Sequence, residues 1–474
     1  MQSLSSISAQ NCQSLEPVLR VQISKNLTEF PRHVFEQAES LEILDLSNNQ
    51  LTDLPDDLDR LLNMRILFLS NNLFTAIPEV LARCPKLEMI SFKSNQLVQV
   101  AENVLPLATR WLILTDNKIA QLPDSMGKLH RLQKLALAGN RLTDLPASMS
   151  ACKNLELARL SANDLTEMPD WLFQLPKLAW LAFSGNDFNR FTDNKSAEID
   201  LSVADKKPAS VEAVALDDII IGELIGEGAS GFIHRAQWKK QPEALLNTDL
   251  DIAVKIFKGS ITSDGYPQDE LDCCLTAGEH ENLIKVLAQL DQSDKDEKLG
   301  LVMELISTEY FNLGLPPSLK TCTRDTFHEE TRFSIKQVGK IVLAITGTLK
   351  HLHEKGISHG DVYAHNTMIN DQASTLLGDF GAATNLASLP LMQRDAMAKI
   401  EVRALGCLLE DVLTQVDIEA ADIHQQHNLK QISELAVNCM QPDLNKRPSF
   451  IELQQSLELL ISDSEGALRE SFTV

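Results

Sequence analysis

Between residues 18 and 190 the apolar positions recur in blocks, not at the spacing of a single helix or strand. The stretch LEILDLSNNQL, starting at Leu41, has the form L-x-x-L-x-L-x-x-N-x-L. Its asparagine returns at Asn49, Asn72, Asn95, Asn117, Asn140, Asn163 and Asn186, in steps of 23, 23, 22, 23, 23 and 23 residues. Many blocks add a tail such as Leu54-Pro55, Leu122-Pro123 or Leu145-Pro146. One block cannot bury its own leucines, so stacked blocks must share a continuous core. Each block predicts one short strand followed by a turn, where the asparagine side chain satisfies backbone groups left unpaired. Those asparagines are therefore structural.

Strand side chains alternate, so the residues between the buried leucines face outward. One outward column reads Ile43, Ile66, Met89, Trp111, Lys134, Leu157, Trp180, and the next reads Asp45, Phe68, Ser91, Ile113, Ala136, Arg159, Ala182. The first is unusually apolar for a free surface. Exposed apolar patches mark partner sites, and the expected partner surface is Ile43, Phe68, Met89, Trp111, Leu157 and Trp180. The competing reading is that some of these pack against the second half of the chain. The block pattern resembles the leucine-rich repeat family. Val18, Val21, Ile23, Asn26 and Leu27 resemble a shortened capping repeat. The domain is placed at 1–190, as an α/β solenoid.

Residues 191–216 carry no repeat phase and mix charges with small residues, which predicts an exposed linker. From 217 the pattern changes. IIIGELIGEGASGFIHRAQW reads as two strands joined by a glycine turn with Gly226, Gly228 and Gly231. A dinucleotide fingerprint would need a helix straight after the glycines, whereas Phe232 to Ala236 continue as a strand. A hairpin of backbone amides over phosphates fits better, and glycine lets that backbone approach closely. Ile252-Ala253-Val254-Lys255 is a short apolar strand ending in a lysine, which predicts anionic company for Lys255. The helical stretch IVLAITGTLKHLHEKG leads into His359-Gly360-Asp361-Val362-Tyr363-Ala364-His365-Asn366, and Leu377-Gly378-Asp379-Phe380-Gly381 follows. Asp361 to Asn366 is five residues and Asp361 to Asp379 is eighteen. Arg447-Pro448-Ser449-Phe450 comes near the end.

Each motif alone is modest, but five in this order are specific. Residues 217–462 resemble the eukaryotic-type protein kinase family, which implies an α+β bilobal fold after the solenoid, with 463–474 as a tail. The resemblance implies a role for each matched residue. Gly226, Gly228 and Gly231 would cover the phosphates of ATP, with Ile225, Ile233 and Ala253 lining the adenine. Lys255 would hold the α- and β-phosphates, and Asn366 and Asp379 would bind Mg²⁺ or Mn²⁺. Asp361 would orient the acceptor hydroxyl and take its proton. Met303 would be the gatekeeper, and Glu304 and Leu305 the hinge. The partner of Lys255 is expected at Glu270, with Asp272 and Glu279 as rivals. Oxygen donors of this kind suit a hard, octahedral cation.

The chain departs from the family pattern in several places. Gly360 stands where many members carry Arg, Tyr363 where many carry Lys, and His365 where tyrosine kinases carry Arg. After Asp379 there is no Ala-Pro-Glu, and Glu401 to Gly406 resemble the next helix, with Glu401 in place of the usual Asp. That leaves about twenty residues for the loop that docks peptides, and it leaves Arg447 in need of a partner. A long Pro-containing connection at 306–334 is expected to pack on the large lobe rather than shape the cleft entrance.

The charge balance narrows the function. The net charge of −23 argues against nucleic acid, whose binding rests on clustered Lys and Arg. The surplus is concentrated in 217–474, with 22 basic and 40 acidic residues, against 21 and 26 in 1–216. The expected reading is a solvated acidic surface. The opening MQSLSSISAQNCQS has neither a basic nor an apolar signal region. No run of about 18 apolar residues predicts a membrane span, although the domain order is similar to that of plant receptor-like kinases. Eight scattered cysteines predict reduced thiols, and with them a cytoplasmic location. The expectation is an ATP-dependent protein kinase, serine/threonine ahead of tyrosine, with the repeats binding a partner or substrate. A small-molecule phosphotransferase of the aminoglycoside type and a nucleotide-binding scaffold without turnover compete with it.

Overall fold

The computed structural model describes residues 19–189, 211–228, 230–246, 251–259, 261–262, 264–291, 298–417 and 423–471, with side chains at 423, 424 and 462–471 outside the description. The first half is an eight-stranded parallel sheet in sequence order. Its strands are β1 (Arg20–Gln22), β2 (Ile43–Asp45), β3 (Ile66–Phe68), β4 (Met89–Ser91), β5 (Trp111–Ile113), β6 (Lys134–Ala136), β7 (Leu157–Arg159) and β8 (Trp180–Ala182). The middle residue of each strand from β2 to β8 points inward and is buried, from Leu44 through Leu112 to Leu181. The shortened first repeat supplies β1, whose Arg20 pairs with Ile43. The repeated asparagines stitch neighbouring coils together. Asn140 Nδ2 donates to the carbonyls of Leu114 and Leu137 at 2.9 Å, and its Oδ1 accepts from Ile119 N at 3.1 Å. On the opposite face the coils close through short 3₁₀ turns opened by Pro78, Pro123 and Pro146, and through the single-turn helix α1 (Asp170–Phe173).

The second half has two lobes. In the small lobe β9 (Glu212–Val214), β10 (Ile219–Glu227), β11 (Gly231–Trp238), β12 (Ile252–Phe257), β13 (Val286–Leu290) and β14 (Gly300–Glu304) form a sheet in the order β10-β11-β12-β14-β13-β9. Helix α2 (Pro267–Ala277) belongs to this lobe. The large lobe is built on α3 (Ile335–Glu354), which opens with a Ser334/Gln337 capping box. Around it lie the short strands β15 (Phe311–Asn312), β16 (Ile357–Ser358), β17 (Thr367–Ile369), β18 (Thr375–Leu377) and β19 (Thr384–Asn385). Three helices complete it: α4 (Leu391–Leu413), α5 (Ile423–Cys439) and α6 (Phe450–Ser471).

Three sequence expectations change, and a fourth holds with an addition. The linker expected at 191–216 lies outside the described residues as far as 210, and β9 within it pairs in parallel with β13 as a sheet edge. The tail expected from 463 continues helix α6 to Ser471. The segment after Asp379 is shorter than expected, because α4 already starts at Leu391, ten residues before Glu401. The connection at 306–334 packs on the large lobe, where Arg324 pairs with Asp411, but it also touches the repeats. There Thr323 donates to Glu156, and the Lys320 carbonyl accepts from Arg110 at 3.0 Å.

The two halves share their hydrophobic cores. Leu386, Leu389, Met397 and Ile400 of the kinase-like half pack into the repeat core, and Leu157, Ala179 and Trp180 of the repeats pack into the large-lobe core. Two residues expected on a free partner surface, Leu157 and Trp180, are therefore only 2% and 1% exposed. The large lobe covers them, with Tyr363 stacked on Trp180. Met89 is also buried, while Ile43, Phe68 and Trp111 remain half-buried.

Candidate active site

The glycine turn joins β10 to β11, and Gly226 faces Ile233 in the ladder, next to a register irregularity after Leu224. Gly228 N donates to the Gly231 carbonyl at 3.0 Å, and residue 229 at the tip lies outside the described residues. A Cβ on Gly231 would come within 2.7 Å of the Ile256 carbonyl, so this position admits no side chain. A Cβ on Gly228 would meet nothing within 4 Å, which leaves the turn open on that side. Ile225 is exposed and Ile233 half-buried, with Ile233 opposite Lys255. Ala253 is buried between Arg235 and Met303 in the sheet. Met303, Glu304 and Leu305 follow at the end of β14, half-buried, with Leu305 N bonded to the Asp251 carbonyl at 2.8 Å.

Lys255 finds its anion in Glu270 on α2. The rivals are engaged elsewhere: Asp272 accepts from Gln268 at 2.8 Å, and Glu279 pairs with Lys285 at 2.9 Å. Burial pushes the Lys255 ammonium down, but the Glu270 and Asp379 carboxylates together hold the lysine above its ordinary range. Burial raises the Glu270 carboxyl against the opposing pull of Lys255. Beneath them Asp379 stands in the left-handed region at φ 57°, and Phe380 is buried 5.3 Å from the His359 ring. His359 is fully buried, and its Nε2 contacts the Gly378 carbonyl at 2.9 Å. Asn366 turns its amide nitrogen to Asp361, bonding the carbonyl at 3.0 Å and Oδ2 at 2.7 Å. That leaves its side-chain oxygen on the other arm of the amide.

Three of the positions noted above, Gly360, Tyr363 and Arg447, touch the repeats. Gly360 has φ 72°, and a Cβ there would lie 2.6 Å from the Ala382 carbonyl and 3.1 Å from the carbonyl of Leu181 on β8. No side chain fits between them, so arginine is barred from position 360. Tyr363 stacks on Trp180 at 4.6 Å and 5° between planes, and the Trp180 indole donates to the Val362 carbonyl at 3.0 Å. His365 faces Asp325 of the 306–334 connection at 2.7 Å. Burial lowers the His365 pKa, but Asp325, with Asp361 and Asp379, holds the ring above its ordinary value. Glu401 accepts from Gly360 N at 2.6 Å and meets His353 Nε2 at 2.6 Å. Burial opposes its charge, but His353 holds the carboxyl below the usual range. Arg447 is 2% exposed and donates to the carbonyls of Gln441, Lys399 and, from the repeats, Pro176.

Sequence reasoning missed Arg159. It lies in an outward column of the repeats, yet its guanidinium meets Asp264 and Asp361. The one cation in a column of Asp, Phe, Ser, Ile and Ala is a faint signal for an anionic neighbour, and it does not say which one. Burial raises the Asp361 carboxyl, against the lowering by Arg159 and with Asp264 and Asp379 adding to the rise.

Family models match both halves. Residues 219–424 match the family described as protein tyrosine and serine/threonine kinase, and 18–74, 40–97 and 130–188 match leucine rich repeats. Fibroblast growth factor receptor 1 of Xenopus laevis is 23% identical over 196 residues, which is 40% of this chain and 24% of that protein. Tyrosine-protein kinase receptor TYRO3 of Danio rerio is 24% identical over 290 residues, 51% of this chain and 31% of that protein. Cyclin-dependent kinase 11.1 of Caenorhabditis elegans is 26% identical over 171 residues, 35% of this chain and 21% of that protein. The chain thus spans between a fifth and a third of these relatives. Among the described residues no helix is long and apolar enough to cross a membrane. The chain joins a leucine-rich repeat region to a domain of the protein tyrosine and serine/threonine kinase family.

Proposed function

We propose that the chain is an ATP-dependent protein kinase that transfers the γ-phosphate to a serine or threonine hydroxyl of a protein, ahead of tyrosine. The observation that carries this reading is the convergence of Lys255–Glu270, Asp379, Asn366 and Asp361 beside the glycine turn. The donor set fits the nucleotide and its cation. Asp379 and the Asn366 side-chain oxygen are hard oxygen donors suited to Mg²⁺ or Mn²⁺. Those two residues would hold the cation, which would supply positive charge to offset that of the phosphates.

This chain's own residues do the rest. The backbone of Gly226, Gly228 and Gly231 lies over the phosphates, with Ile225, Ile233 and Ala253 against the base and Met303, Glu304 and Leu305 along its edge. Lys255, held in place by Glu270, presents its ammonium to the α- and β-phosphates. Asp361 orients the acceptor hydroxyl and takes its proton, and Asn366 holds that carboxylate in place. Phosphoryl transfer needs little covalent help, so alignment and charge supply the catalysis. We place a protein partner or substrate on the open part of the repeat face, at Ile43, Phe68 and Trp111.

The test is phosphate transfer from γ-labelled ATP with Mg²⁺, using the full chain, Asp361→Asn and casein. Labelled protein that disappears in the variant supports the reading, and phosphoamino-acid analysis reads the acceptor. ATP consumption without labelled protein favours a small-molecule acceptor. Nucleotide binding without consumption favours a scaffold.

A further inference from the structure

Arg159 is 5% exposed, and its three guanidinium nitrogens meet three different acceptors. Nε donates to Asp264 Oδ1 at 2.8 Å, Nη1 to the Gly360 carbonyl at 3.0 Å, and Nη2 to Asp361 Oδ1. These groups belong to three bodies. The guanidinium comes from β7 of the repeats, Asp264 from the small lobe just ahead of α2, and Gly360 and Asp361 from the large lobe. The other oxygen of Asp361 accepts from Asn366 at 2.7 Å. Both carboxylate oxygens are therefore held by donors of this chain. An acceptor hydroxyl must itself come within about 2.6–3.2 Å of one of them. It would have to share that oxygen with a donor already fixed there, either the Asn366 amide or Nη2 of a planar fork that also spans Gly360.

We propose that Arg159 is an internal latch by which the repeat domain holds the kinase half in an inhibited state, an inference that rests on the kinase reading above. The block falls on the acceptor side. The Lys255–Glu270 pair is formed, and Phe380 is packed beneath His359, so the nucleotide side is already assembled. Release does not require the solenoid to leave. Leu157 and Trp180 remain in the large-lobe core, which makes the repeats and the large lobe one body. The contact with the small lobe is narrower, with Asp264 on Arg159, Gly265 against Ser161 and Tyr266 against Gly185. Movement of the small lobe away from the repeats removes Asp264 from Nε, one of the three acceptors that fix the guanidinium's orientation, and frees the side chain to turn off Asp361. The latch thus couples lobe opening to acceptor access.

The experiment uses the full chain with Mg²⁺ and γ-labelled ATP, and casein as the probe acceptor. Wild type, Arg159→Ala and Asp264→Asn are compared for initial rate, KM for ATP and nucleotide binding. The expected result is at least a tenfold higher rate of casein labelling in Arg159→Ala, with the KM for ATP within twofold of wild type. A smaller rise is expected in Asp264→Asn. An unchanged rate in Arg159→Ala overturns the latch, and a fall assigns Arg159 to positioning Asp361 and overturns it as well. If Arg159→Ala does not fold, Asp264→Asn decides, since a rise supports the latch and no rise overturns it. Nucleotide binding without transfer in every protein, wild type included, overturns the kinase reading and the inhibition together. Equal, non-zero transfer by wild type and Arg159→Ala overturns the latch alone.

Discussion

Replacing Trp180 by alanine tests whether the repeats and the large lobe are one cooperative unit. The indole is 1% exposed, stacked on Tyr363, and bonded to the Val362 carbonyl. Truncating a buried aromatic costs about 3–5 kcal/mol in transfer and cavity terms. The lost hydrogen bond adds about 1 kcal/mol, so the expected loss is about 5 kcal/mol. At a guanidinium slope of roughly 5 kcal/mol/M, the unfolding midpoint should fall by about 1 M. Trp180→Phe keeps a stacking ring and loses the bond, so it should fall by only about 0.2 M on the same slope. The assay is guanidinium unfolding followed by two probes. Three of the four tryptophans (Trp111, Trp171 and Trp180) lie in the repeats, so fluorescence reports that half, while far-UV circular dichroism reports the helices of the large lobe. The two curves should coincide in wild type and separate in Trp180→Ala. A midpoint shift below about 0.2 M, or wild-type curves that already separate, would refute the shared core.

Three further outcomes are expected. Asn140→Ala leaves the carbonyls of Leu114 and Leu137 and the Ile119 amide without their bonds; the cost should be about 3 kcal/mol, read from the urea midpoint. Gly360→Ala places a methyl against the Ala382 and Leu181 carbonyls in a left-handed conformation, so it should lose about 3 kcal/mol of stability and most phosphate transfer, measured by melting and by the labelling assay. The third concerns acid stability. The folded-state pKa of Glu401 is depressed, so its contribution is present above the unfolded carboxylate pKa and is lost as pH falls through the lower folded value. Glu401→Gln should therefore remove part of the steepness in a stability-against-pH curve below about pH 4.5, with little change in that slope near neutrality.

The relation between sequence and structure differs from element to element. The asparagine ladder was legible because each repeat places the same side chain beside the same pair of carbonyls. The Lys255 partner was legible as Glu270 ahead of Asp272 and Glu279, and the ion pair forms with Glu270. The length of the segment after Asp379 was overestimated. The helix beginning at Leu391 carries Gln393, Arg394 and Asp395 in its first turns, and this polar start hid it. The apolar column on the repeats was visible, but its occupant was not, because burial by another part of the chain and burial by a partner need the same residues.

What the sequence by itself determined is therefore periodic or local. The 23-residue frame, the alternation of strands and the order of the kinase motifs all follow from side chains spaced along one element. The tertiary structure decided how the two halves meet. Arg159 and Asp361 lie 202 residues apart, and Arg447 and Pro176 lie 271 apart. Those meetings depend on which faces of two separately folded layers can share a core. Leu157 and Trp180 bring β7 and β8 against the large lobe, and Arg159, on the same strand as Leu157, is carried onto Asp361 by that packing. No spacing within either half encodes the contact, because its geometry arises only after both halves have folded and packed.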